Sequence, residues 1–194
     1  KNGISWTDYT WNPMTGCQHG CPYCYARKIA MRFDGHFEPK FHQKRLLDKF
    51  PKKPSKIFVC SMSDLFGEWV KREWIEDVLI VVRKNPQHTF QFLTKNPKKM
   101  ACFKFPDNCW TGTTIEDKNK LCRLKELKKV NAKFHFISFE PLLGEIDINL
   151  QGEGIDLAII GANTDRNGTQ TKKEWDKIKG VKKFYKTNFI NIGN

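Results

Sequence analysis

Short apolar runs alternate with amphipathic ones along the whole chain. Strand-like runs fall at 56–60, 89–93, 109–115, 133–139, 156–160 and 183–187, with another at 9–12. The run 157–160 is apolar without alternation, the pattern of a strand covered on both faces. Between the strands, Trp74, Val78, Val81 and Val82 recur with helical spacing and predict a helix over 72–84. A second helix is expected over 116–130, with Leu121, Leu124 and Leu127 turned inward and lysines outward. A third is expected from Thr171. Thr171 and Glu174 have capping-box spacing there, Trp175 and Ile178 supply an apolar face, and Gly180 is placed to end the helix. This βαβα order, with strands buried on both sides, gives an α/β fold: an open, partial (β/α) barrel of about six or seven parallel strands, in a single domain over residues 1–194. The chain is shorter than the ~250 residues of a complete eightfold barrel.

In parallel α/β folds ligands gather where the carboxyl ends of the strands meet their loops. The first strand is followed by Gly-Cys-Gln-His-Gly-Cys-Pro-Tyr-Cys-Tyr at 16–25. Three thiolates this close in sequence, Cys17, Cys21 and Cys24, can hold three corners of a 4Fe-4S cluster. Nothing local offers a fourth ligand, so one iron is left open to an exchangeable one. Structural zinc normally takes four protein ligands in two pairs, and no second cysteine pair follows; His19 would have to fold back within the loop to complete such a site. A disulfide framework fits poorly with an odd count of seven cysteines and no secretory signal. Cys102, Cys109 and Cys122 have no motif around them and read as structural.

Charge changes the picture of partners. The chain carries 34 Lys plus Arg against 21 Asp plus Glu, a net charge of +13, and such a field attracts polyanions. Nucleic acid or a nucleotide is therefore a candidate partner, and Trp6, Trp11, Phe66 and Trp69 are aromatics that could stack on bases. The polar segment 1–9 has no apolar signal core and no run approaches the ~20 residues of a membrane span. The expectation is a cytoplasmic protein without a membrane partner.

The spacing C-x-x-x-C-x-(aromatic)-C, with Tyr23 as the aromatic, resembles the signature of the radical S-adenosylmethionine (SAM) superfamily. The sets Ser5 to Cys17, Ser61 to Phe66, Gln87 to Lys95, Phe139 to Gly144 and Lys183 to Lys186 further resemble a phage-associated three-cysteine-motif family of unknown function. Members of that family commonly place more residues between the first two cysteines; the three found here are shared with spore photoproduct lyases. The resemblance implies a 4Fe-4S cluster on Cys17, Cys21 and Cys24. It also implies that SAM binds the open iron and is cleaved, with an electron from an external donor, to a 5′-deoxyadenosyl radical that abstracts hydrogen. On the same footing Tyr23 would lie against the adenine, Ser61, Ser63 and Asp64 would meet the SAM amino group, and Lys95 its carboxylate. Thr113, Glu116, Ser138 and Glu140 would meet the ribose. Cys60, at the carboxyl end of the second strand, is a candidate hydrogen-atom donor, as in spore photoproduct lyase. The plainer reading of Asp64 and Glu116 is that each caps a helix N-terminus.

Two classes of function follow: a radical SAM enzyme, or a non-catalytic iron-sulfur or zinc module that binds nucleic acid. Polar groups at nearly every strand end favour the enzyme, since a structural clip needs none of them.

Overall fold

In the computed structural model, which describes residues 4–165 and 167–192, seven strands form one parallel sheet in strictly sequential order. These are β1 (Tyr9–Trp11), β2 (Lys56–Val59), β3 (Thr89–Thr94), β4 (Cys109–Thr114), β5 (Phe134–Phe139), β6 (Leu157–Ile160) and β7 (Lys183–Tyr185). Each coincides with a run expected from the sequence. The first three residues of the polar N-terminal segment, and Arg166, Gly193 and Asn194, lie outside the described residues. Sequential parallel pairing with covering helices bends the sheet into a half-barrel, the partial (β/α) barrel expected. Among the described residues no helix is long and apolar enough to cross a membrane.

Alternation along the strands gives the sheet two different faces. The convex face carries Ile57, Val59, Phe90, Phe92, Ile137 and Phe139 into the main core under the helices. Helix α1 (Tyr25–Phe33) lies beside the cysteine loop, and helix α2 (Arg72–Arg83) covers the convex face. Helix α2 buries Ile75, Val78, Leu79 and Val82, the i, i+3, i+4, i+7 set. Trp74 and Val81, expected on that stripe, flank it instead, and the Trp74 ring stacks on Phe41 at 5.2 Å. The concave face is filled by Phe58, Phe136 and Ile159, on which Trp6 sits with its ring 4.8 Å from Phe58 and 5.7 Å from Phe136. Trp11 and Phe66 are core residues and present no ring for base stacking, Trp6 is buried with its ring in a cavity wall, and Trp69 is half-buried.

Two expected helices differ. The segment 116–130 is helical only at Cys122–Leu127, preceded by a 3-10 turn at Lys118–Lys120, and Glu116 stays outside as part of a strand-end loop. Beyond Thr171 there is a 3-10 turn, Lys173–Trp175, and then a strand, Asp176–Lys179, paired in parallel with Ile146–Asn149. The capping-box reading fails because the Thr171 hydroxyl is committed elsewhere: it donates to the Leu142 carbonyl at 2.6 Å and accepts from the Asn163 amide at 2.9 Å. Ile178 is buried between exposed Lys177 and Lys179, a period of two rather than 3.6. Among the other cysteines Cys109 is buried, while Cys102 and Cys122 are exposed and belong to no core.

Gly112 on β4 is where the aromatic floor leaves no room: a Cβ there would lie 2.6 Å from the Phe136 ring. Gly112→Ala is expected to cost about 2 kcal/mol by overpacking, read as a lower midpoint in urea unfolding. A wild-type midpoint would show that the ring is free to move aside.

Candidate functional site

On the concave face the parity that builds the floor also selects what reaches the rim. Two residues beyond Phe58 comes Cys60; beyond Phe136 come Ser138 and then Glu140; beyond Phe184 comes Lys186. Cys60, Lys95, Thr114, Ser138, Glu140 and Lys186 line one side of a cavity of about 220 Å³, and Cys17, Cys21 and Cys24 line another. Tyr23, Ser61, Ser63 and Asp64 are also in its wall. Thr113 is not. It points to the opposite face, is fully buried, and donates to the Thr94 carbonyl at 2.8 Å; its neighbour Thr114 takes the place expected of it. Thr114 and Lys186 were within reach of sequence reasoning, because counting in twos from the floor residues finds both.

The cysteine loop is shaped by close backbone approach. Gly16 has φ +81°, and a Cβ on it would lie 2.0 Å from the Glu38 carbonyl oxygen, so no other residue fits. Its amide donates to the Met62 carbonyl at 3.0 Å, and Ser63 Oγ donates to its carbonyl at 2.6 Å. Cys24 is the N-cap of α1, its sulfur accepting from the Arg27 amide at 3.4 Å, and Ala26 and Ala30 pack α1 against Cys17, Cys24, Met62 and Phe37. Burial pushes the Cys17 thiol up to about 11, against the pull of the His19 amide.

Two carboxylates stand behind the loop. Asp64 accepts from the Phe66 amide (3.0 Å), Thr94 Oγ1 (2.7 Å), the Lys95 amide (2.9 Å) and His19 Nε2 (2.7 Å). Burial would raise its pKa, but these bonds, His19 first, hold it below the usual carboxylate range. Glu116 accepts from Tyr23 Oη at 2.5 Å and Arg123 Nη1 at 2.8 Å, with Lys95 Nζ at 3.3 Å. Burial again opposes ionisation, and Lys95, Tyr23 and Arg123 together outweigh it, lowering the pKa. Neither residue caps a helix, so that plainer reading is set aside. Lys95 meets Glu116 here, with its ammonium 5.6 Å from the Tyr23 ring centre.

Across the cavity Glu140 is paired with Lys186. Ser138 Oγ is buried, lines the cavity and has no hydrogen-bond partner among the described residues. Ser61 Oγ donates to Asn12 Oδ1 at 3.1 Å, and its carbonyl accepts from Tyr25 Oη at 2.5 Å. Cys60 has φ +60°, is 3% exposed, and burial pushes its thiol up to about 12. A left-handed non-glycine residue whose side chain faces a cavity is a point of local strain. Among the described residues no three His, Cys, Asp or Glu side chains converge on one point as a single ion would need. The three thiols border one cavity. The Ser138 hydroxyl in the same cavity wall supplies a donor and an acceptor for a polar ligand.

A family model described as a protein of unknown function, DUF5131, matches residues 1–190. The chain belongs to this family. No curated protein matches the chain. Among solved structures, this chain is similar to a spore photoproduct lyase double mutant with bound AdoMet and dinucleoside spore photoproduct. That match has a TM-score of 0.52 and 12% identity, and covers 74% of this chain and 48% of that one. It is also similar to a cysteine-to-serine mutant of spore photoproduct lyase, with a TM-score of 0.56, 13% identity, 84% of this chain and 58% of that one. At this identity the likeness establishes the fold, and the chain spans about half the length of the lyase chains it matches.

Asp64 and Glu116, with pKa values lowered on folding, contribute stability that is complete above their unfolded values and is lost as the pH falls through the folded ones. The thermal midpoint is expected to fall steeply below about pH 4. Glu116→Gln should be less stable at pH 7 by about 3 kcal/mol, because Arg123 and Lys95 lose their counter-charge, and should show a flatter acid limb. Parallel acid limbs for variant and wild type would contradict this.

Proposed function

We propose that this chain is a radical SAM enzyme, in which Cys17, Cys21 and Cys24 hold a 4Fe-4S cluster and the cavity beside them binds S-adenosylmethionine. The observation that carries this reading is that all three thiols border the same cavity as the inward-facing strand ends of a half-barrel. When bound, the cluster would supply one electron, delivered by an external donor, to cleave SAM to a 5′-deoxyadenosyl radical that abstracts hydrogen from a substrate.

The chain's own residues then bind and orient. Ser138, with its free hydroxyl, and Glu140, fixed by Lys186, are the ribose contacts. Lys95, lying over the Tyr23 ring, offers the cation for the SAM carboxylate, and that ring borders the adenine. Ser61, at the end of β2, is the polar group for the amino end. The aromatic floor of Trp6, Phe58 and Phe136 excludes water from beneath. Cys60 is the hydrogen-atom donor: burial keeps it as the S–H form that such a donor needs.

The substrate class proposed is nucleic acid or a nucleotide. The net charge of +13 supports it, as does a structural neighbour that holds a dinucleoside. A cytoplasmic setting, where thiols stay reduced, suits such a site.

Anaerobic reconstitution is expected to load about four irons per chain, the content of one cubic cluster, and to give 5′-deoxyadenosine when SAM and dithionite are added. Cys21→Ala should lose both. Cys60→Ala should keep the iron and 5′-deoxyadenosine formation while losing substrate turnover; unchanged products from Cys60→Ala would remove the donor role. DNA or RNA binding should weaken by at least tenfold between 50 and 200 mM salt, and a flat response would remove the polyanion reading.

A further inference from the structure

The cysteine loop is fastened to the sheet at two points, one inside each interval between its cysteines. His19 lies between Cys17 and Cys21 and donates Nε2–H to Asp64 at 2.7 Å. Tyr23 lies between Cys21 and Cys24 and donates its hydroxyl to Glu116 at 2.5 Å. We propose that Asp64 and Glu116 are positioning residues that set the three thiols for cluster binding, acting through His19 and Tyr23. This rests on the reading that those thiols hold a cluster.

Both anchors are fixed independently of the loop. Asp64 is 6% exposed and Glu116 4%. A carboxylate offers about four acceptor positions, and in Asp64 all are used: Phe66 and Thr94 on Oδ1, Lys95 and His19 on Oδ2. A ligand ammonium would have to displace one of these partners. The contact that the family resemblance implies for Asp64 is therefore replaced by a supporting one. Glu116 is held from the sheet side by Arg123, which also donates to the Thr114 carbonyl at 2.7 Å. Lys95 joins the two anchors, its amide on Asp64 and its ammonium beside Glu116. One residue at the end of β3 thus keys both fastenings.

The loop needs them. Gly16 and Gly20 both have positive φ, at +81° and +68°, and two glycines leave the free loop many conformations to lose. A cluster gripped by three ligands has no fourth to hold it while one thiolate swings away. Fastening each interval makes the thiols move together with the strand ends.

The test uses His19→Ala, His19→Gln and Tyr23→Phe in the full chain, reconstituted without oxygen and exposed to excess ferrozine as the iron acceptor. The Gln side chain can place an N–H near the position of His19 Nε2, so it serves as the rescue. Iron should leave His19→Ala and Tyr23→Phe about tenfold faster than wild type, the effect of losing one charge-assisted hydrogen bond. His19→Gln should fall near wild type. Wild-type iron loss from both His19→Ala and Tyr23→Phe overturns the proposal. So does His19→Gln losing iron as fast as His19→Ala while Tyr23→Phe is unaffected. If the wild type itself takes up no iron, the cluster reading has failed, and iodoacetamide labelling of the metal-free thiols decides the fastening alone. Several-fold faster labelling of Cys17, Cys21 and Cys24 in the variants supports it, and equal rates overturn it.

Discussion

A β-strand sends successive side chains to opposite faces, and in this half-barrel one face is the cavity. Three strands therefore run from an apolar floor residue to a cavity-lining residue in steps of two: Phe58 to Cys60, Phe136 to Ser138 to Glu140, Phe184 to Lys186. The site has a dry base and a charged edge without any dedicated segment to build it. Two glycines mark where the design is tight. Gly112 makes room for the Phe136 ring, and at Gly161 a Cβ would lie 2.8 Å from the Glu140 side chain, so the Glu140–Lys186 pair lies directly over the backbone of the strand end.

The cysteine loop is added to this frame and owes its shape to contacts outside itself. Gly16 and Ser63 bind it to the segment after β2, α1 backs it through two alanines, and the buried carboxylates meet it from behind. Ionised carboxylates are costly to bury alone. Here each is balanced by several donors and a nearby cation or imidazole, so the charge is tolerated and the geometry is defined. Cys24 belongs to both systems, since its sulfur caps α1 while facing the cavity.

The sheet was legible in the sequence because its inner strands are buried on both faces, and short runs of apolar and β-favouring residues bounded by polar turns mark them individually. The grouping of the three cysteines at one cavity follows from their spacing alone. Three things were not legible. Thr171, Glu174 and Ile178 fit a helical pattern, but three residues cannot separate a period of 3.6 from tertiary use of the threonine. Parity along β4, which puts Thr114 rather than Thr113 at the cavity, is not visible when a strand end is taken as a segment. His19 reads in sequence as a metal ligand at most; its partner, Asp64, lies 45 residues away, and no local pattern connects them. Long-range polar pairs of this kind are fixed by the fold and are invisible before it.

The proposed chemistry requires three thiols that leave one metal corner open to SAM. The most direct measurement is electron paramagnetic resonance of the reduced, fully loaded protein before and after SAM is added. A shift in the signal is expected, because SAM would bind the open iron itself. An unchanged signal at full iron loading would contradict the open corner, and with it the proposed chemistry.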